Sequence, residues 1–292
     1  MSERQGTFEA YLAQARTQGL SLAQVFLDQE ARDSGKSPEQ LRQLMLERIR
    51  VMRQAQTRGL TSPQHSHSGL IQGGAERMDQ WIRAGHSLLS PSFSKLVASA
   101  LAVAEVNACM GRIVAAPTAG SCGVLPAALF TVAEAQGLAD EALVPALFTA
   151  GGIGLVIEKL ASLSGAEGGC QAEVGAASAM AAGALVELAG GTPLQVGHAV
   201  AFALANLLGL ICDPVQGLVE VPCVMRNAMG AANAAACAEM ALAGLESPFA
   251  PDAVIETMGK VGRRLPDEFR ETARGGLALL PVRPCSNCDT PC

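Results

Sequence analysis

The sequence predicts an all-α protein, and three observations carry that expectation. Little of the chain alternates polar and apolar residues with period two, and runs of β-branched residues are few. Long stretches rich in Ala, Gly and Leu instead alternate with breaks marked by Gly and Pro. Hydrophobic residues make up 49% of the chain but aromatics only 3%, so the core must be built from small side chains, which favours closely packed helices.

The elements follow in order. Residues 1–58 read as two or three amphipathic helices. Ser37-Pro38-Glu39-Gln40 is a helix start: Ser37 can cap, Pro38 suits the first turn, and Gln40 completes a capping box. Leu41, Leu44, Met45, Ile49 and Met52 then recur at helical spacing, and Gly59 is expected to end the helix. Residues 59–76, GLTSPQHSHSGLIQGGAE, read as a polar loop. Helices are expected near 92–110, 124–136, 141–163, 171–189, 194–210, 225–244 and 251–259. The tail, PVRPCSNCDTPC, is expected to be irregular and exposed. The chain thus divides into N-terminal helices (1–58), a main domain (59–280) and a cysteine-rich tail (281–292).

A formal charge of −6 and the lack of a long basic run argue against nucleic acid as the main partner. The N-terminus, MSERQGTFEAYLAQ, has no apolar segment of the secretory kind, so a cytoplasmic location is expected. The apolar stretches 142–157 and 194–211 approach membrane length. They contain Pro145, Gly151-Gly152, His198 and Asn206, however, and read as buried core helices with no membrane partner. Nine cysteines in a reducing compartment lean toward metal binding or catalysis. Cys109 and Cys237 lie in Ala-rich patterns and read as small buried hydrophobes.

Four breaks in the helical pattern share a composition: AAPTAGSCGVLP (115–126), GAEGGCQAEVGAASAM (165–180), ICDPVQGLVEVPCVMRNAMG (211–230) and the tail. Each puts a cysteine in a Gly- or Pro-marked turn at a helix end. Such a turn allows close backbone approach to a ligand, and a helix N-terminus beside it lowers a thiol pKa and favours negative charge. The wide spacing of Cys170, Cys212 and Cys223 matches no compact metal signature, so spacing alone leaves metal binding undecided.

The segments PTAGSCGVLPA, GAEGGCQAEVGAASAMAAGALVELAGGTP and NLLGLICDPVQGLVEVPCVMRNAMGAANA resemble the α chain of iron–sulfur-dependent L-serine dehydratases. The likeness runs from about residue 60, through GGAERM, to ETARGGLA, and its GCQ, CDPV and VPC elements are specific. The resemblance implies a [4Fe–4S] cluster held by Cys170, Cys212 and Cys223. Its fourth iron would be open as a Lewis acid toward the hydroxyl of L-serine. Thr118, Gly120 and Ser121 would form the turn that grips the substrate carboxylate. The implied reaction converts L-serine to pyruvate and ammonia, feeding pyruvate metabolism and gluconeogenesis. The catalytic base is not identified by the sequence.

The resemblance also implies a C-terminal cysteine that reaches back to the cluster when substrate is absent, and Cys292, Cys288 and Cys285 are the candidates. No SSSHT-like substrate motif is present, so a separately encoded β chain and an oligomeric assembly are expected. Two other functions stay open: a related cluster-dependent lyase acting on another small amino acid, and a non-catalytic metal-binding module built on the tail cysteines.

Several polar residues have two readings each. Cys122 is a buried thiol or a contact of the site. His65 and His67 belong to an exposed loop or to one that closes over a site. His198 reads as a core histidine, and His86 carries no signal. Glu167, Glu173 and Glu220 either act near the cysteines or cap helices. Arg226 and Asn227 lie near the cluster or the substrate carboxylate, with an ordinary ion pair the plain reading of Arg226.

Overall fold

The computed structural model describes residues 6–282. It is 70% helical, with twelve α-helices and no strand among the described residues, in agreement with the all-α expectation. The helices are α1 (Phe8–Gln18), α2 (Leu22–Ser34), α3 (Pro38–Thr61), α4 (Gly74–Arg83), α5 (Pro91–Ala108), α6 (Val124–Gln136), α7 (Leu143–Leu160), α8 (Gly165–Gly168), α9 (Ala176–Leu188), α10 (Pro193–Leu207), α11 (Cys223–Leu242) and α12 (Pro251–Arg264).

Helix α9 is the centre. It packs against α6, α7, α10 and α11, and every residue from Ala176 to Val186 is buried. A helix that is apolar all round belongs in an interior, and its Ala and Gly content lets four neighbours come close. A Cβ on Gly183 would lie 2.3 Å from Ile153 Cδ1 of α7. Phe8, Leu22, Phe26, Leu41 and Ile49 of α1–α3 belong to the same apolar cluster as the α9 alanines. The segment Asp140–Leu160 is long and apolar enough to cross a membrane, but 67% of its apolar window is buried inside the protein. It packs between α9 and α2.

The Ser37 start is built as its sequence predicts. Gln40 N–H donates to Ser37 Oγ (3.2 Å), and Ser37 N–H donates to Gln40 Oε1 (2.9 Å). Ser21 and Thr192 open α2 and α10 with the same reciprocal box. Gly59 is a correction: α3 continues through it to Thr61. A Cβ there would sit 2.4 Å from Ala102 O, so this glycine is where α3 crosses the backbone of α5. The polar loop is correspondingly shorter and gives way to α4 at Gly74.

No side chain of its own caps α4. Instead the buried Glu105 of α5 accepts from Ala75 N–H at 3.2 Å. Burial pushes the Glu105 carboxyl above its ordinary range, against the backbone N–H groups of Ala75 and Gly74, which hold it down. Near the far end of α4, Trp81 stands 5.8 Å from His86 between ring centroids. The helix expected over 171–189 is present and runs to Leu188, but it opens with a π-helical turn over Gln171–Gly175 before the regular helix starts at Ala176.

Candidate active site

The π turn belongs to the first cysteine. Gly169 has φ +76°, and a Cβ there would meet Leu265 Cδ1 at 2.6 Å and Leu210 O at 2.9 Å, so both conformation and space demand glycine. Cys170 follows it, and the next residue, Gln171, fastens the turn. Its amide donates to Gly168 O (2.9 Å) and Met258 O (3.1 Å) and accepts from Gly209 N–H (2.9 Å). Its own N–H donates to Leu210 O at 3.0 Å. A one-turn π helix widens the backbone locally and is frequent at functional sites.

Cys212 lies in the segment after α10. Its N–H donates to Phe269 O (2.8 Å) and its carbonyl accepts from Glu271 N–H (3.0 Å), forming an isolated parallel bridge to the C-terminal region. Cys223 is the first residue of α11. All three cysteines are buried.

Burial pushes the Cys170 thiol up to about 11 and Cys223 up to about 12; Cys212 moves in the same direction. After burial, Cys170 acts on both of the others, and Glu173 acts on all three. In the metal-free protein, burial thus works against the lowering expected from a helix end. Desolvation disfavours the thiolate form, and a positive charge brought beside the sulfurs would favour it. Among the described residues, no three His, Cys, Asp or Glu side chains are drawn tightly enough together to hold one ion.

The turn carrying Thr118, Gly120 and Ser121 lies against the same region. Thr118 Oγ1 and Ser121 Oγ are hydrogen-bonded to each other at 3.0 Å. Glu173 lies beside this turn: the Thr118 hydroxyl acts on its carboxyl, and a Cβ on Gly120 would sit 3.4 Å from Glu173 Oε1. Burial, with the neighbouring Glu271, raises the Glu173 carboxyl above its usual range despite the Thr118 hydroxyl. An open cleft of about 600 Å³ is lined by Thr118, Ser164, Gly165, Glu158, Glu173 and Glu271.

Asn227 joins the turn to Cys223. Fully buried, its amide donates to Gly120 O and Cys223 O (both 2.8 Å) and accepts from Gly123 N–H (2.8 Å). Arg226 forms an ion pair with Asp213 (2.8 Å) and donates to Ile211 O (2.8 Å), close enough to Cys170 for its charge to act on that thiol.

Glu220 is buried and accepts from Ser66 (2.7 Å) and Ser68 (2.5 Å) of the polar loop. The loop thus turns its serines inward, while His65 and His67 face solvent. Cys122 is a buried thiol pushed up to about 12, its Sγ 3.9 Å from Val103 O. Cys237 is buried in the main core, and Cys109 is partly buried. His198 Nδ1 accepts from Ser247 N–H at 3.1 Å, and Glu167 accepts from Ser162 at 2.6 Å. Cys285, Cys288 and Cys292 lie outside the described residues.

Sequence reasoning missed the bridging role of Asn227, the amide of Gln171, and the carboxylates Asp213 and Glu271. Their position beside the CDPV, GCQ and GGLA elements was the available signal.

The family model for the serine dehydratase alpha chain matches residues 17–278. A Bacillus subtilis protein named probable L-serine dehydratase, alpha chain, is 50% identical over 261 residues, covering 89% of this chain and 87% of its own. The L-serine dehydratase, alpha chain, of Peptoniphilus asaccharolyticus is 44% identical over 260 residues, covering 89% of each. An L-serine dehydratase of Streptomyces coelicolor is 40% identical over 281 residues, but this chain spans only 60% of it. By matched length and by identity, this chain belongs to the serine dehydratase alpha-chain family.

Proposed function

We propose that this chain is the catalytic α chain of a cytoplasmic L-serine ammonia-lyase that yields pyruvate and ammonia and so supplies pyruvate metabolism and gluconeogenesis. The observation that carries the reading is the Asn227 amide, which ties the Thr118–Ser121 turn to the Cys223 end of α11. Binding groups and buried thiols thereby share one place, in a family whose members bear the L-serine dehydratase name.

Cys170, Cys212 and Cys223 would hold a [4Fe–4S] cluster. Their thiols lie near enough for Cys170 to act on both of the others, and thiolates are the ligands such clusters take. When bound, the cluster supplies a positive centre that stabilises the thiolates and a Lewis acid for the leaving hydroxyl.

The chain's own residues do the rest. The Thr118 and Ser121 hydroxyls and the Gly120 backbone orient the substrate carboxylate. Glu173, between that turn and the cysteines, faces the substrate ammonium, with Glu271 adding negative charge at the cleft. Asn227 fixes the turn against α11. A β chain, separately encoded, would complete the site in a larger assembly. The Streptomyces coelicolor relative, of which this chain spans 60%, has room for such a part within one polypeptide.

Protein purified without oxygen is expected to contain iron and acid-labile sulfide, and Cys170→Ser, Cys212→Ser and Cys223→Ser are each expected to lose both. Activity that follows added pyridoxal phosphate, in protein free of iron and sulfide, would sink the reading. Product analysis over hydroxy- and thio-amino acids identifies the substrate. Retention of iron after removal of residues 283–292 separates this centre from a module built on the tail.

A further inference from the structure

The Arg226 guanidinium stands at a junction. It carries an ion pair to Asp213 at 2.8 Å and a hydrogen bond to Ile211 O at 2.8 Å, and its charge acts on the nearby Cys170 thiol. Arg226 is itself one turn into α11 from Cys223. A single planar fork therefore bonds the backbone on one side of Cys212 and the side chain on the other, places its charge near Cys170, and stands on the helix that begins with Cys223. Its donors are fixed in one plane, which a lysine cannot imitate.

Asp213 extends the junction. It is 2% exposed, and its second oxygen accepts from Leu277 N–H at 2.8 Å. A Cβ on Gly276, whose φ is +63°, would come 2.4 Å from that carboxylate. The C-terminal segment is thus seated directly on the residue after Cys212. Glu271 and Ala273 in the same segment also have positive φ, a conformation that non-glycine residues hold only where surrounding contacts impose it.

We propose that Arg226 is a positioning residue for the three-cysteine centre, and that through Asp213 it registers the segment 270–280 on that centre. The inference rests on the three-cysteine reading. The guanidinium acts in two ways. It holds the three cysteine-bearing segments at fixed spacing, and it places one positive charge beside the Cys170 sulfur. A cation there favours the more negative, reduced form of a bound cluster. Its removal therefore lowers the midpoint potential.

The test compares Arg226→Gln, Arg226→Lys and wild type, each as the full chain. In Arg226→Gln, iron retained after chelator challenge is expected to fall about 10-fold, the size usual for loss of a partner of a metal ligand. The midpoint potential should move negative. Arg226→Lys should restore the potential, since it keeps the charge, while recovering only part of the iron retention.

Amide hydrogen exchange of cluster-free protein supplies a readout that needs no metal. Exchange should quicken at 211–213 and 270–280 in Arg226→Gln and stay at wild-type rates in α5 and α9. Unchanged exchange at those two segments overturns the proposal. So does equal acceleration throughout the core, and so does wild-type iron retention with wild-type potential. Wild-type protein without iron would instead sink the cluster reading, and the exchange experiment would still decide the role of Arg226.

Discussion

At the scale of single residues, the site is held by buried amides. Asn227 makes three hydrogen bonds from a fully buried position, to Gly120, Cys223 and Gly123. Asn227→Ala would leave two carbonyls and one N–H without that partner. Each unsatisfied buried group costs about 1–3 kcal/mol, so a loss of about 2–4 kcal/mol is expected in urea denaturation. KM for substrate should rise with it, because the Thr118–Ser121 turn loses its tie to α11. A variant with wild-type stability and KM would show that the turn is held by its other contacts.

The sequence made Cys170, Cys212 and Cys223 legible only through the GCQ, CDPV and VPC elements. The partners of Gln171, Asp213 and Asn227 were not legible, because each reaches a backbone group supplied by a distant turn. A polar residue in a Gly-rich turn announces that it has work, not which carbonyl it will find.

At the scale of elements, the same residue type has opposite meanings at two positions. A Cβ added to Gly59 in α3 would sit 2.4 Å from Ala102 O, whereas one added to Gly151 in α7 would have nothing within 4 Å, and Gly151 is exposed. Gly59→Ala should force α3 and α5 apart, at about 1–3 kcal/mol. Gly151→Ala should stabilise α7 by about 0.5–1 kcal/mol. Thermal unfolding of the two variants checks the pair, and shifts of the same sign would refute it.

Helical periodicity identified the long helices, and the capping box fixed the start of α3. The end of α3 was misplaced because a glycine that permits close crossing looks, in one sequence, like a glycine that stops a helix. The π turn was invisible for a related reason: Gln171–Gly175 has ordinary helical composition, and only the tertiary bonds of Gln171 pull it out of α-helical register.

At the scale of the whole molecule, one apolar cluster runs from Phe8 in α1 to Met258 in α12. The α2 helix sits on α7, where the Phe26 ring occupies the space a Cβ on Gly152 would need. Removing residues 1–34 takes away the buried Phe8, Leu22 and Phe26 together. Large buried side chains are worth about 2–5 kcal/mol each, against a net stability of about 5–15 kcal/mol for a whole domain. The shortened chain should show no cooperative thermal transition by circular dichroism. A sharp transition within a few degrees of the full chain would mean that α1 and α2 are dispensable.

Composition already pointed to this architecture. With few aromatics available, a core this size has to be made from many small contacts, and it loses its coherence when a few large ones are withdrawn.

That scarcity has a practical side. Trp81 is the chain's single tryptophan, and it lies on α4, 43% exposed, beside His86. Its helix is capped from α5 by Glu105 and preceded by the loop whose serines grip Glu220. Intrinsic fluorescence from tryptophan therefore reads this margin of the site while the interior stays dark. The protein carries its own optical probe for the seating of the polar loop, and no dye has to be attached to follow it.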